Sequence, residues 1–168
     1  MDDLDPLPAD PVDQSAWREL RLLQAVMDAD IGRLYAERNI DGLRPSHTMA
    51  LIRLNHRGPM TITELADSVQ GTHSAMSQKV AALRRAGLVR SAAGSDARTK
   101  RISLTAKAKR IVGFLEAEWR ATENAVAGIE AEIPYPLSQV VDDITEALQR
   151  KSFHDRVVDG LAAHNSWH

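Results

Sequence analysis

The sequence predicts a mainly α-helical chain that carries one short β-hairpin, with helices at both ends longer than the central part needs to cover itself. Three observations lead there. Apolar residues recur three and four apart over most of the chain; one stretch, Lys100-Arg101-Ile102-Ser103-Leu104, alternates with a period of two; and the 43% hydrophobic content leans on Ala, Leu, Val and Ile, with only 4% aromatic residues. At 168 residues the chain has the length of one domain with a real core.

Residues 1–13 are rich in Asp and Pro and are expected to be disordered. From Ser15 to about Arg38, Trp17, Leu20, Leu23, Met27, Ile31 and Leu34 place one apolar stripe along a helix of about six turns. Asn39-Ile40-Asp41-Gly42 makes a turn. After Pro45 a second helix carries Met49, Leu51, Ile52 and Leu54 and stops at Gly58-Pro59. Thr61-x-x-Glu64 is a capping box, so a short helix follows with Ile62, Leu65 and Ala66 inward, ending near Val69. Thr72 is a good N-cap for the next helix, whose inward face reads Ala75, Met76, Val80 and Leu83, and Gly87 ends it. The hairpin follows, its strands at Leu88–Ser91 and Lys100–Leu104 separated by a turn-rich segment. Thr105 caps a long helix with Ile111, Leu115 and Val126, expected to bend or break near Gly128. Pro134 and Pro136 separate it from a last amphipathic helix with Leu137, Val140, Val141, Ile144 and Leu148. The polar end, 153–168, reads as a frayed tail.

Several function classes fall away on composition. No stretch approaches the roughly 18 consecutive apolar residues that span a bilayer, and the acidic start MDDLDPLPADP lacks the basic and apolar regions of a signal peptide, so a cytoplasmic protein is expected. The chain has no cysteine, which excludes disulfides, thiolate metal sites and thiol redox switching within it. His47 and His56 are nine apart, and His154, His164 and His168 have no carboxylates at ligand spacing, so neither a metal nor another cofactor is expected. There is no phosphate-cradling Gly-rich loop, no H-E-x-x-H and no G-x-S-x-G, so no enzyme is expected either.

The net charge of −2 conceals a strong asymmetry: residues 72–110 hold ten Lys or Arg against the single acid Asp96, a net +9, which leaves −11 on the rest. Such a basic block on an acidic chain is the electrostatic footprint of a polyanion-binding surface. A solvated helix-and-hairpin surface is the bland alternative. Two short helices joined by a tight turn, with a basic hairpin directly after the second, make a winged helix-turn-helix, whose second helix enters the major groove of DNA. Its first turns then want short hydroxyls, amides and cations at base edges and phosphates. Thr72, His73, Ser74, Ser77, Gln78 and Lys79 meet that need, and from Thr72 to Arg85 there is no acid. A helix made polar for solubility alone would take Glu and Asp as freely as Lys.

The run T61-I-T-E-L-A-D, then S74-x-x-S77, V80, L83 and G87-L88-V89, then D96-A-R98-T-K-R101-I-S-L104-T105, resembles the MarR family, the multiple antibiotic resistance regulators. D-x-R-x-x-R followed three residues later by L-T is the most specific part, and the order of elements agrees from about 15 to 150. The turn before the recognition helix departs from the family pattern, reading Gln70-Gly71 where Gly and then an apolar residue is usual; Thr99-Lys100 replaces the usual acid between the two arginines. The resemblance implies a homodimer with interlocking first and last helices, a pseudopalindromic double-stranded DNA operator, and a small ligand that alters the spacing of the two modules. The chain then divides into a disordered tail, 1–13, an N-terminal dimerisation helix, 14–44, a DNA-binding winged helix-turn-helix, 45–110, C-terminal dimerisation helices, 111–152, and a flexible tail, 153–168.

By that resemblance Arg98 enters the minor groove, where narrow A·T-rich stretches concentrate negative potential. Asp96 orients the hairpin tip or simply forms its turn. Lys100 and Arg101 bind phosphates or internal partners, Gln78 matches adenine, Lys79 reaches guanine or phosphate, and His73 touches phosphate or nothing. The resemblance also implies an effector crevice between the dimerisation helices and the DNA-binding module, lined here by Trp17 and Arg21, one turn apart on the first helix, and by His47, Met49 and Arg53 on the second. An aromatic wall meeting a cation there suits a small anionic aromatic effector; the competing role for Trp17 and Met49 is core or dimer packing. Two other functions remain at this point. A winged-helix module for protein–protein contact would not need the +9 block, and an architectural DNA-binding protein would need no operator.

Overall fold

The computed structural model describes residues 10–15, 17–93 and 100–163. Among these, after a single 3-10 turn at Pro11–Gln14, seven helices and one hairpin follow in order. They are α1 (Arg18–Glu37), α2 (Pro45–Arg57), α3 (Ile62–Ser68), α4 (His73–Arg85), β1 (Val89–Ala93), β2 (Lys100–Leu104), α5 (Ala106–Glu132), α6 (Leu137–Arg150) and α7 (Phe153–Ala163). The chain up to Ala117 and the chain from Glu118 form two compact units, and α5 runs from one into the other.

In the first unit the local signals do what their chemistry dictates. Thr61 Oγ1 accepts the Glu64 N–H at 3.1 Å while the Glu64 carboxylate accepts the Thr61 N–H at 2.7 Å, so both free amides at the start of α3 are satisfied. Thr72 Oγ1 accepts from Ala75 N at 3.2 Å and starts α4. Gly87, at φ +70, takes the left-handed conformation that ends α4, and the Leu88 N–H donates to Leu83 O at 2.9 Å. Thr105 caps α5 through Ala108 N at 3.3 Å and donates its hydroxyl to Gly87 O at 2.7 Å, tying the end of α4 to the start of α5.

Leu51 of α2, Leu65 of α3, Leu83 of α4, Leu88, Ile102 of β2 and Leu115 of α5 are wholly buried in one core. β1 and β2 pair antiparallel with Val89 opposite Leu104 and Ser91 opposite Ile102. Met60 adds a bridge on the other side of β2, its N–H donating to Ile102 O at 3.1 Å and its carbonyl accepting from Ile102 N at 2.7 Å. α1 and α2 are joined by a buried hydrogen bond between Tyr35 and Thr48 hydroxyls, 2.7 Å long. Phe114 of α5 meets the Tyr35 ring edge-on at 6.4 Å and lies 5.1 Å beneath the Arg38 guanidinium.

Ala75 departs from its expected place, since it is exposed while Met76, Val80 and Leu83 make the buried stripe of α4. At about 100° per residue Ala75 sits one step off that stripe. The departure at the helix-turn-helix turn also resolves: Gln70, at φ +53, takes the left-handed position, and Gly71 does not.

The second unit corrects two expectations. α5 passes through Gly128 as continuous helix to Glu132. The tail expected over 153–168 is helical over Phe153–Ala163, while 164–168 lie outside the described residues, as does 1–9 of the expected N-terminal tail. Ser152 Oγ accepts from Asp155 N at 3.1 Å and starts α7. The Arg156 guanidinium then donates to Ala147 O at 2.9 Å, which also accepts the Lys151 N–H, and to Lys151 O at 3.1 Å, so it ties α7 to the end of α6. Lys151 pairs with Asp159. At the other end of α6, Glu130 accepts from Ser138 N at 2.8 Å and Ser138 Oγ at 2.9 Å. No residue of α6 is buried, although it carries five large apolar side chains. Among the described residues no helix is long and apolar enough to cross a membrane.

Candidate nucleic-acid interface

α4 buries Met76, Val80 and Leu83 against the core, which leaves its other faces polar and open. Thr72, His73, Ser74 and Gln78 are exposed, and Ser77 and Lys79 are half-buried along the flanks. The free amides of the first turn point out of the same end, so the helix presents partial positive charge where its hydroxyls lie. Arg84 and Arg85, both exposed, continue the basic surface to the far end of α4.

The hairpin adds cations of two kinds. Arg90 on β1 and Lys100 on β2 are exposed, with Arg90 lying opposite Ser103 and donating to its hydroxyl at 3.4 Å. Arg101 is engaged inside the protein: its guanidinium donates to Pro59 O and, at 3.2 Å, to Glu64 Oε1. Of the two roles open to it, the internal one is therefore occupied, and Arg101 fastens the wing to the start of α3. The backbone N–H of Thr61, with help from Arg101, holds the Glu64 carboxyl below the usual glutamate range. Asp96 and Arg98 lie outside the described residues, in the segment between the two strands.

The residues expected to line an effector crevice do not share one face. Trp17, at the N-cap of α1, is half-exposed, and the exposed Arg21 donates to Ser15 Oγ at 3.4 Å. On α2, His47 is separated from Met49 by about 200° around the helix axis and from Arg53 by about 240°, so Met49 and Arg53 share a side that His47 does not. His47 is instead buried next to α4, in a cavity that it shares with Arg44, Lys79 and Arg85. Sequence reasoning missed Arg44, Arg85 and the tie from Arg101 to Glu64. Arg85 was visible only as part of a charge count, and nothing local in the sequence marks the Pro59 carbonyl as a partner.

A three-helix core that ends in a polar, acid-free helix followed by a basic two-stranded hairpin is a winged helix-turn-helix protein, of the class to which transcriptional regulators belong. Residues 41–99 match the MarR family. The match covers the turn before α2, the three helices α2 to α4 and the wing up to the end of the segment between its strands, so over this stretch the chain is similar to winged-helix regulators of that family. Solved structures agree in fold across much more of the chain. A DNA complex of MepR from S. aureus is 16% identical, with 81% of this chain and 97% of that one covered at a TM-score of 0.60. A probable transcriptional regulator from Pseudomonas aeruginosa is 22% identical, with 82% and 98% covered at 0.55. The M. tuberculosis regulator MosR in complex with DNA is 25% identical, with 81% and 95% covered at 0.55. No curated protein matches the chain in sequence.

Proposed function

We propose that this MarR-family protein is a DNA-binding repressor that acts as a homodimer on a pseudopalindromic operator and is released by a small anionic effector. The observation that carries the reading is α4 itself: an acid-free helix whose hydroxyl and amide groups face outward while Met76, Val80 and Leu83 seat it on the core. Thr72, His73, Ser74, Ser77, Gln78 and Lys79 contact bases and phosphates in the major groove; Arg90, Lys100 and Arg98 of the wing hold the flanking backbone and minor groove. Arg101 acts one step back, by holding the wing at the start of α3. That MepR and MosR, which share this fold, are seen in complex with DNA supports DNA as the partner.

Dimerisation is supported by apolar surface left open on the terminal helices. Leu22, Leu23 and Val26 of α1 are exposed, and so is the whole apolar stripe of α6. A second copy would cover these faces, and a two-fold dimer would set two recognition helices on two half-sites. Footprinting over a salt series tests the reading. Two half-sites centred about 10 bp apart should be protected, with affinity falling steeply as salt rises. A single half-site protected by a monomer would overturn it.

A further inference from the structure

The turn between α3 and α4 holds a residue that its own backbone disfavours. Two hydrogen bonds close the turn, from the Gly71 N–H to Ala66 O at 2.9 Å and from the Gln70 N–H to Asp67 O at 3.1 Å. In this motif a helix ends on one left-handed residue, and glycine suits that position because it has no Cβ. Here the left-handed residue is Gln70, at φ +53, while Gly71 beside it has no positive φ. A Cβ added at Gly71 would lie 3.6 Å from Val69 Cγ2 and 3.8 Å from Ala66 O, which are ordinary contact distances. The turn would therefore be less strained with the two residues exchanged.

Nothing among the described residues offsets that strain. Gln70 is exposed, and its side-chain amide makes no hydrogen bond with any of them. A strained position that packing and capping do not require points to function. Its surroundings indicate which function. Asp67 is the last acid before α4, and from Ser68 to Ser95 the chain has none, so Gln70 stands inside the acid-free stretch. Two residues further on, Thr72 caps α4 through Ala75 N, and Thr72, His73 and Ser74 are exposed beside it. A side chain that precedes this cap lies outside the helix, at the rim of the groove that α4 enters, where DNA presents phosphates rather than base edges. A primary amide carries two N–H donors and needs no charge to offer them to a phosphate oxygen.

We propose that Gln70 is a DNA contact, its side-chain amide donating to a backbone phosphate at the rim of the major groove, and that this contact accounts for a glutamine standing where a glycine would fold better. The proposal rests on the regulator reading above. It adds to the contacts of α4 and the wing one made from the turn ahead of the recognition helix, which fixes the register of that helix on the duplex. Because the amide is neutral, it releases no counterion from DNA, so its contribution does not weaken as salt rises, whereas that of Lys79 does.

The test uses the full chain and a labelled duplex selected from genomic fragments, reading affinity by anisotropy over a salt series and melting on the same samples. Gln70→Gly should melt higher than the native chain and yet bind the duplex about tenfold more weakly, about threefold from each subunit of a dimer. Gln70→Glu keeps the side-chain length and the backbone strain but replaces the donor with an anion, so it should melt as the native chain does and bind more weakly still. The salt slope of Gln70→Gly should equal the native slope, whereas Lys79→Gln should lower it by about one per subunit. Native affinity in either Gln70 variant overturns the proposal. So does a lower melting temperature for Gln70→Gly, which would make the side chain structural, or a loss confined to duplexes with one particular base pair, which would make it a reader of sequence. In each of these outcomes the regulator reading stands. A native chain that binds no duplex removes that reading, and the Gln70 contact with it.

Discussion

Ile144→Asp tests whether the bare face of α6 is a dimer surface. Leu137, Val140, Val141, Ile144 and Leu148 are 44%, 38%, 51%, 39% and 38% exposed. Their uncovered surface amounts to about two whole side chains; at roughly 2 kcal/mol for each one buried, covering it contributes about 4 kcal/mol per subunit. In a two-fold dimer both copies contribute, giving about 8 kcal/mol before the costs of association and side-chain ordering. Ile144 lies at the centre of the Val140–Ile144–Leu148 stripe. Its replacement removes about 0.8 kcal/mol per copy and sets a carboxylate against apolar surface at about 1–3 kcal/mol more. The dimer should lose at least about 4 kcal/mol, close to a thousandfold in Kd. Sedimentation velocity over a concentration series reads the change, with circular dichroism as the check on folding and Gln149→Asp, off the stripe, as the control. An unchanged dimer Kd for a folded Ile144→Asp chain would refute the reasoning.

Four further outcomes are expected. Arg98→Ala should weaken operator binding by about 1–3 kcal/mol with no change in melting temperature, and equal affinity would return Arg98 to the solvated surface. Glu64→Gln should loosen the wing by releasing Arg101 and so lower DNA affinity while helix content stays constant. Because the native Glu64 pKa is lowered, its stabilisation is complete above the ordinary value of 4.5 and lost as pH falls through the folded value, so native and variant melting should converge in acid. The lowered pKa of His47 likewise makes the unfolded chain the better proton binder below the ordinary value of 6.5. Urea stability should then fall as pH drops below 6.5 toward the folded pKa, and His47→Asn should flatten that slope. Gln70→Gly should relieve the left-handed strain at φ +53 and raise the melting temperature, by an amount equivalent to at most about 1 kcal/mol once glycine's greater unfolded entropy is counted. A lower melting temperature would show that the Gln70 side chain contributes more than its backbone costs.

The candidate interface was legible in part because its signals are signals of charge and local order. The absence of any acid from Thr72 to Arg85, and the ten cations between 72 and 110, can be counted without a fold. The effector crevice was not legible in the same way. Trp17 and Arg21 sit one turn apart on α1, but His47, Met49 and Arg53 divide between two sides of α2, and which side faces what depends on packing. Taking 153–168 as one polar end likewise concealed α7, although Phe153, Val157, Val158 and Leu161 recur at helical spacing; its start is set by Ser152 and Asp155, and Arg156 ties it to the carbonyls of Ala147 and Lys151.

By itself, then, the sequence determined the order and kind of the elements. Capping hydroxyls at Thr61, Thr72 and Thr105, the stop at Gly87 and the apolar spacing within each helix act over a few residues, and hydrogen bonds of that range form much the same way in any surroundings. The choice of partner for each long cation belonged to the tertiary structure. Arg101 meets Pro59 across 42 residues and Glu64 across 37, and Arg44, Lys79 and Arg85 line one cavity with His47 although the chain places α3 between them. A flexible cation can satisfy its charge with water, phosphate or a carboxylate, so its role is decided by whichever of these the folded chain places within reach.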